Sequence, residues 1–185
     1  MKSTAIIVTA LAVMLSFNVV HAEKAPPKIL DLANTTLTVF GTDPVIVNAV
    51  KAENAKAKTL AQIKAEDTKW QASAGIADYM KAMMDSACGK HLNEIQKSAP
   101  YFAEVFVTDN QGANVAMTDK TSDYWQGDED KFVKTFAGGA GAIFVDEVKF
   151  DDSTQTYLVQ VSVPVKDGGA AIGVITFGID VDKVQ

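Results

Sequence analysis

The residues with most chemistry to offer stand in one stretch, Thr118-Asp119-Lys120-Thr121-Ser122-Asp123-Tyr124-Trp125-Gln126-Gly127-Asp128-Glu129-Asp130-Lys131-Phe132. Two large aromatics lie among short hydroxyls and acids. Tyr124 and Trp125 are able to wall a small ligand while their O–H and N–H keep partners, with Thr121 and Asp123 as polar contacts, and loops held by a rigid sheet are common recognition sites. The competing role is structural: Trp125 plugs a sheet edge, and Asp128 or Asp130 caps the next helix. Asp119, Asp123, Asp128, Glu129 and Asp130 also offer hard oxygen ligands. Their spacing does not follow the Asp-x-Asp-x-Asp-Gly loop with its distal Glu that an EF-hand needs. A solvated acidic loop is expected, with no metal and no cofactor.

Other chemistries find little support. His91 is the one histidine beyond the first 22 residues and falls within an apparent helix, with no catalytic spacing of acids or Cys beside it. No GxSxG elbow, HExxH, P-loop or dinucleotide fingerprint is present, so the chain is expected not to be an enzyme. Cys88, the only cysteine, permits no intrachain disulfide and reads either as a buried small hydrophobe or as a pairing or reactive thiol. There is no Arg, so an anion site would rely on Lys, backbone N–H groups or neutral donors. The acidic balance and scattered lysines point away from nucleic acid.

The elements that must position these groups begin after an export signal. Lys2 gives a positive n-region, Ala5 to Val20 is almost unbroken apolar chain, and Val20-His21-Ala22 presents small residues at a cleavage site. An uncleaved anchor is the alternative, and the polar Glu23-Lys24 favours cleavage. Removing residues 1–22 leaves 163 residues, with 16 Lys against 23 acids and a formal charge of −7. A short linker over 23–28 and one domain over 29–185 are expected, in a periplasmic or secreted protein.

Helical spacing runs from Ile29 to Phe40, with Leu30 and Leu37 on the packing stripe and Gly41 as its stop. Thr42 or Asp43 then caps a helix with Pro44 in its first turn. Leu60, Ile63, Asp67 and Trp70 recur at three and four, in one bent helix or two consecutive ones, with Thr59 at the break. Ile76, Tyr79, Met80, Met83 and Met84 form a broad stripe read as core rather than cofactor box, and helix continues through Leu92 and Ile95 to a stop before Pro100.

The period then changes. Ala103 to Thr108 and Ala113 to Thr118 are strands joined by the turn Asp109-Asn110-Gln111-Gly112, and a short helix lies around Lys131 to Phe136. Ala142 to Phe150, Thr154 to Val165 and Ala171 to Asp180 follow as three strands with turns at Asp151-Asp152-Ser153 and Lys166-Asp167-Gly168-Gly169. Connections this short require antiparallel pairing. The predicted fold is α+β: long N-terminal helices packed on a five-stranded antiparallel sheet. In it Val159, Val161 and Val163 share a face with Ile175, Phe177 and Ile179. The other face carries Gln160, Ser162, Thr176, Gly178 and Asp180, and is either solvent-exposed or the floor of a ligand cavity.

The leading helices, the hairpin from Phe106 to Ala116, the Thr121-Ser122-Asp123-Tyr124-Trp125-Gln126-Gly127-Asp128-Glu129 loop and the closing Val163-Pro164-Val165 and Gly173-Val174-Ile175-Thr176-Phe177-Gly178-Ile179-Asp180 strands resemble an extracytoplasmic Cache (PDC) sensor domain. The resemblance implies a PAS-like sheet on a long helix and a small-molecule pocket between sheet and loop. It assigns Tyr124 and Trp125 to the pocket walls, and Asp146 and Asp180 to charged contacts with an amine or a bridging water. The amino-acid-binding subgroup carries an Arg in its signature, and this chain has none. The resemblance further implies a sensor of a small organic solute, such as an amine or small metabolite. That sensor is expected to be free-standing, without its own output domain, signalling through a membrane receptor or histidine kinase, with homodimerisation through the N-terminal helices as an option. The alternatives are a non-catalytic protein–protein interaction module of the same fold and, more remotely, a small hydrolase or metal-binding protein.

Overall fold

The computed structural model describes residues 23–151 and 155–184, so the expected signal peptide and most of the Asp151-Asp152-Ser153 turn lie outside the described residues. Six α-helices are found among them: α1 Pro27–Asn34, α2 Pro44–Asn54, α3 Leu60–Gln71, α4 Asp78–Met84, α5 Ala87–Lys97 and α6 Asp130–Phe136. The longest has 12 residues, and the helical half is a chain of short capped segments. The expected helix from Ile29 to Phe40 stops at Asn34 and resumes as a 3-10 turn, Leu37–Thr42. Leu37 is buried as expected, whereas Leu30 is exposed and Ile29 and Ala33 face the core instead.

Asp43 caps α2, its Oδ1 accepting from Val45 N at 2.8 Å and Ile46 N at 3.3 Å. The segment from 44 to 71 is two helices. Ala57 takes a left-handed φ of 49° at the break, and Thr59 opens α3 through a capping box with Gln62. In α4 only Met80 of the methionine-rich stripe is fully buried, while Ile76 and Tyr79 are exposed. Seven residues are too short a helix to bury a stripe that broad.

The strands are β1 Phe102–Thr108, β2 Asn114–Met117, β3 Phe144–Val145, β4 Lys149–Asp151, β5 Thr156–Asp167 and β6 Ala170–Asp180. They form one antiparallel sheet in the order β2-β1-β6-β5-β3, with β4 also on β5. This is the α+β arrangement with an antiparallel sheet that the sequence predicts. The sixth strand arises because the stretch expected as one strand from 142 to 150 is split. Asp146 N still bonds Gln160 O at 2.9 Å, but Val148 N turns away to Glu23 O at 2.8 Å before pairing resumes at Lys149. The β5–β6 hairpin closes over Gly168-Gly169, whose φ values of 59° and 94° suit a two-residue turn that favours glycine, asparagine and aspartate.

Alternation divides the sheet as predicted. Val159, Val161, Val163, Ile175, Phe177 and Ile179 join Val105 and Val107 against Ile29, Leu37, Ile46, Val50, Leu92 and Ile95 in the main core. Cys88 is buried there, and burial, with Asp43 adding to it, pushes its thiol up to about 12. An inert packed thiol results. His91 Nε2 lies 3.0 Å from Asp43 Oδ2. Burial would raise the Asp43 carboxyl, but the His91 bond, the two capping N–H groups and the His91 charge hold it below its ordinary value. The pair ties α5 to the start of α2, and neither residue lines any of the cavities described below.

The opposite face is covered from two sides. Phe106, Ala113 and Met117 pack with Ile63, Trp70, Met80 and Tyr124 in a second, smaller core at the β1–β2 end. Helix α6 packs on β5 and β6 at the other end. Between these covers the sheet is left open.

Candidate functional site

That opening is a cavity of about 480 Å³, within the usual range for small-molecule sites. Its floor is the polar face of the sheet, with Glu104 and Phe106 from β1 and Gln160 from β5. Thr121, Ser122 and Gln126 of the aromatic loop form one wall, and Lys131 of α6 and Phe150 of β4 form the other. Glu104 precedes the Val105-Phe106-Val107 run and shares the phase of Phe106, opposite the main core. Gly178 on the adjacent strand makes room for it, since a Cβ there would stand 2.5 Å from Glu104 Cγ.

Glu104 is half-buried and accepts a hydrogen bond from Gln160 Nε2 at 3.1 Å. Burial holds its carboxyl above the ordinary value, and Asp151 and Asp119 add to the shift. The Gln160 bond and the Lys131 charge oppose it. The folded state therefore binds this proton more tightly than the unfolded chain, whose Glu titrates near about 4.3. Stability falls as pH rises through the folded value, once the buried group must ionise. Glu104→Gln keeps the acceptor for Gln160 and removes the charge. Thermal melts of the unliganded protein are expected to show this variant a few degrees more stable at neutral pH, with the gap closing toward about pH 4 as Glu104 takes up its proton. A variant that melts lower at neutral pH would show that ionised Glu104 stabilises the unliganded fold.

The aromatic loop is laced to the hairpin. Asn114 N donates to Tyr124 O at 2.9 Å, Gln126 N to Gly112 O at 2.7 Å, and Trp125 Nε1 to Gln111 O at 2.8 Å. From the helical side, Asp67 Oδ1 accepts from both Tyr124 N, at 2.8 Å, and Trp125 N, at 3.1 Å. This lacing sets which side chains reach the cavity. Thr121 does; its Oγ1 accepts from Asn114 Nδ2 at 2.7 Å and donates to Asp123 O at 2.7 Å. Gln126 does too, and sequence reasoning did not single it out. It is 1% exposed, and its Nε2 donates to Asp123 O at 2.7 Å. Its Oε1 is sealed from solvent and has no hydrogen-bond partner among the described residues.

Tyr124 and Trp125, expected as pocket walls, face away from this cavity. Tyr124 sits in the second core against Trp70, ring centroids 5.6 Å apart, its OH accepting from Lys58 Nζ at 3.0 Å. It lines a separate slot of about 310 Å³ with Trp70, Tyr79 and Met83. Burial pushes the Tyr124 hydroxyl up to about 12, against the pull of Lys58. Trp125 bridges to Ala113 at the sheet edge under the Lys64 ammonium, 4.5 Å from its ring. Asp123 turns outward beside Trp125, bonded to Gln71 Nε2 at 2.7 Å. Trp125 meets the edge-plugging alternative through its bridge to Ala113, and with Asp123 it also lines a separate open hollow of about 610 Å³ beside Lys64, Asp67 and Gln71. The cap expected from Asp128 or Asp130 is absent: Glu129 precedes α6 with no side-chain cap, and Asp130 pairs with Lys134 at 2.8 Å.

Of the remaining expected residues, Gln160 lies on the cavity floor. Asp146 lines an adjoining hollow of about 170 Å³ that shares Phe150, Asp151 and Gln160 with the main cavity, and it pairs with Lys149 at 2.7 Å. Asp180 is engaged beyond the floor at the end of β6. Burial alone would raise its carboxyl, but Lys183 at 2.8 Å, Asp182 N–H and Thr156 hold it low. Among the described residues, no group of three or more His, Cys, Asp or Glu converges on a metal-sized space. No helix there is long and apolar enough to cross a membrane.

No protein-family model and no curated protein matches the chain. Solved structures do. The V. cholerae histidine kinase DctB sensor domain is 15% identical with a TM-score of 0.44, over 84% of this chain and 50% of that one. The ligand-binding domain of the Campylobacter jejuni chemoreceptor Tlp3, in complex with L-norvaline, is 17% identical with a TM-score of 0.43, over 85% and 61%. The E. coli DcuS sensor domain is 16% identical with a TM-score of 0.39, over 67% and 90%. This chain spans half the length of the first and under two-thirds of the second.

Proposed function

We infer that this chain is an extracytoplasmic Cache (PDC) sensor module, periplasmic or secreted after loss of residues 1–22, that binds a small organic solute on the polar face of its sheet. It passes the result to a membrane receptor or histidine kinase. The observation that carries this reading is the cavity of about 480 Å³ over Glu104 and Gln160, in a place where the sheet would otherwise be filled or covered. An interaction module has no need to keep a half-buried carboxylate on this open floor, and its burial costs stability.

A thermal-shift screen of the purified chain against amines, short carboxylates, amino acids, purines and divalent ions tests it. A ligand at a hundred times its Kd stabilises by about 2.7 kcal/mol, a rise on the order of 5–10 °C for a domain of this size. Natively folded protein that shifts with no class would overturn solute sensing and leave the interaction module as the better account.

A further inference from the structure

We propose that the slot behind the aromatic loop is a second ligand site, for an aromatic monocarboxylate whose ring rests on Tyr79 and Met83 and whose carboxylate meets Lys69. It goes beyond the sheet-face cavity and does not rest on it, since the two spaces have no lining residue in common. Trp70 links them: it forms part of the slot, and its Nε1 donates to the carbonyl of Thr121, a residue of the cavity wall.

The slot holds about 310 Å³ between α3, α4 and the loop, enough for a small aromatic molecule. Trp70 and Tyr124 form its base and are almost fully buried, so the surface that a ligand reaches is that of Tyr79, Met83 and the lysine stems. Tyr79 is 44% exposed and Met83 half-buried, one helical turn apart on the same face of α4. The Tyr79 ring is set before any ligand arrives, with its centroid 6.0 Å from that of Trp70 and its OH 3.2 Å from Ser73 Oγ. A phenol ring and a thioether side by side favour an aromatic guest. The charges select an acid over an amine. Lys58 Nζ is held by Glu66 at 3.0 Å, Glu53 at 3.2 Å and Tyr124 OH at 3.0 Å, and it lies 5.5 Å from the centre of the Tyr124 ring. Its ammonium takes the aromatic face that an organic cation would use. Lys69 lines the slot, is exposed, and pairs with no carboxylate among the described residues. An amine would add a third positive charge to a lining with two lysines and one glutamate, whereas an acid supplies the partner for Lys69.

The test measures binding of phenylacetate, phenylacetamide, 2-phenylethylamine and butyrate by calorimetry to the wild-type chain, Lys69→Gln and Tyr79→Ala, with the perturbed backbone amides mapped by NMR. Phenylacetate is expected to bind tightest, the neutral amide about fivefold more weakly, and the amine and the ringless butyrate more weakly still. Lys69→Gln is expected to bring phenylacetate down to the level of the amide and to leave the amide unchanged. Tyr79→Ala is expected to weaken both of these aromatic probes about tenfold. Both side chains are exposed, so neither substitution threatens the fold. The perturbed amides are expected to cluster at Trp70, Tyr79 and Met83. Clustering at Glu104 and Gln160 would put the acid in the sheet-face cavity, and this inference would fail while the sensor reading stood. Phenylacetate that binds both variants as tightly as wild type overturns it. So does an amine that matches the acid, or no binding of phenylacetate at millimolar concentration, and neither result touches the sensor reading.

Discussion

Replacing Trp70 with alanine is expected to destabilise the protein by about 3–5 kcal/mol, lowering the melting temperature by roughly 6–20 °C for a domain of this size. Trp70 is fully buried between Tyr124 and Tyr79, with ring centroids 5.6 and 6.0 Å away. It is the largest side chain of the second core, which also holds Ile63, Met80, Phe106 and Met117. No side chain there is able to swing into a vacancy the size of an indole without leaving its own contacts, so the cavity penalty applies in full. Trp70 Nε1 also donates to Thr121 O at 2.8 Å, fixing the residue that starts the cavity wall. Trp70→Phe separates the two effects. It keeps an aromatic ring in the slot and loses the N–H together with part of the indole, an expected cost of about 1–3 kcal/mol for the abandoned carbonyl and a further, smaller cavity term.

Chemical denaturation, with hydrogen exchange at Thr121 to Gln126, checks this. If Trp70→Ala left the midpoint unchanged and only loosened the loop, the second core would be a local unit that opens apart from the sheet. A fall of both together makes loop and sheet one cooperative unit. In that case the cavity is held in shape by the helices as well as by the strands.

The parts of this fold legible in the sequence are those with a period. Val159, Val161 and Val163 against Gln160 and Ser162, and Ile175, Phe177 and Ile179 against Thr176 and Gly178, fixed the two faces because a strand has a two-residue repeat and one face must be apolar. The turns at Asp109 and at Gly168-Gly169 were legible for the same local reason. The aromatic loop has no period. Whether Tyr124 faces the sheet or the helices depends on Asp67, 57 residues away, capturing its backbone N–H, and such a contact leaves no mark on neighbouring residues. Glu104 was legible in principle: an acid in phase with Phe106 and out of phase with Val105 and Val107 sits on the face already assigned to polar groups. Alternation alone reads such an acid as solvent-facing, and only the covers supplied by α6 and the second core make it a cavity floor. Asp146 and Asp180 were drawn from the resemblance, and each has instead a lysine three residues on, a spacing that favours a local ion pair over a ligand contact.

Gly112→Ala is expected to cost about 3 kcal/mol or more, from about 1–3 kcal/mol for a non-glycine residue at positive φ and a further steric term. Gly112 has φ 86° and lies back to back with Gly127, so that an added Cβ would fall 2.5 Å from Gly127 Cα and 2.6 Å from its N. Those are backbone atoms and have no rotamer to yield. The two chains must separate, and the bond from Gln126 N to Gly112 O, 2.7 Å long, lies between them. Gly168→Ala supplies the comparison. It also has positive φ, 59°, but no atom stands within 4 Å of its added Cβ, so it bears only the conformational cost of about 1–2 kcal/mol. Because Gln126 lines the cavity, Gly112→Ala is expected to weaken any cavity ligand as well, whereas Gly168→Ala at the far hairpin tip leaves affinity unchanged. Equal destabilisation by the two substitutions, measured by denaturant titration, would mean that the hairpin and the aromatic loop are not held against each other. The loop would then be a mobile cover rather than a fixed wall of the cavity.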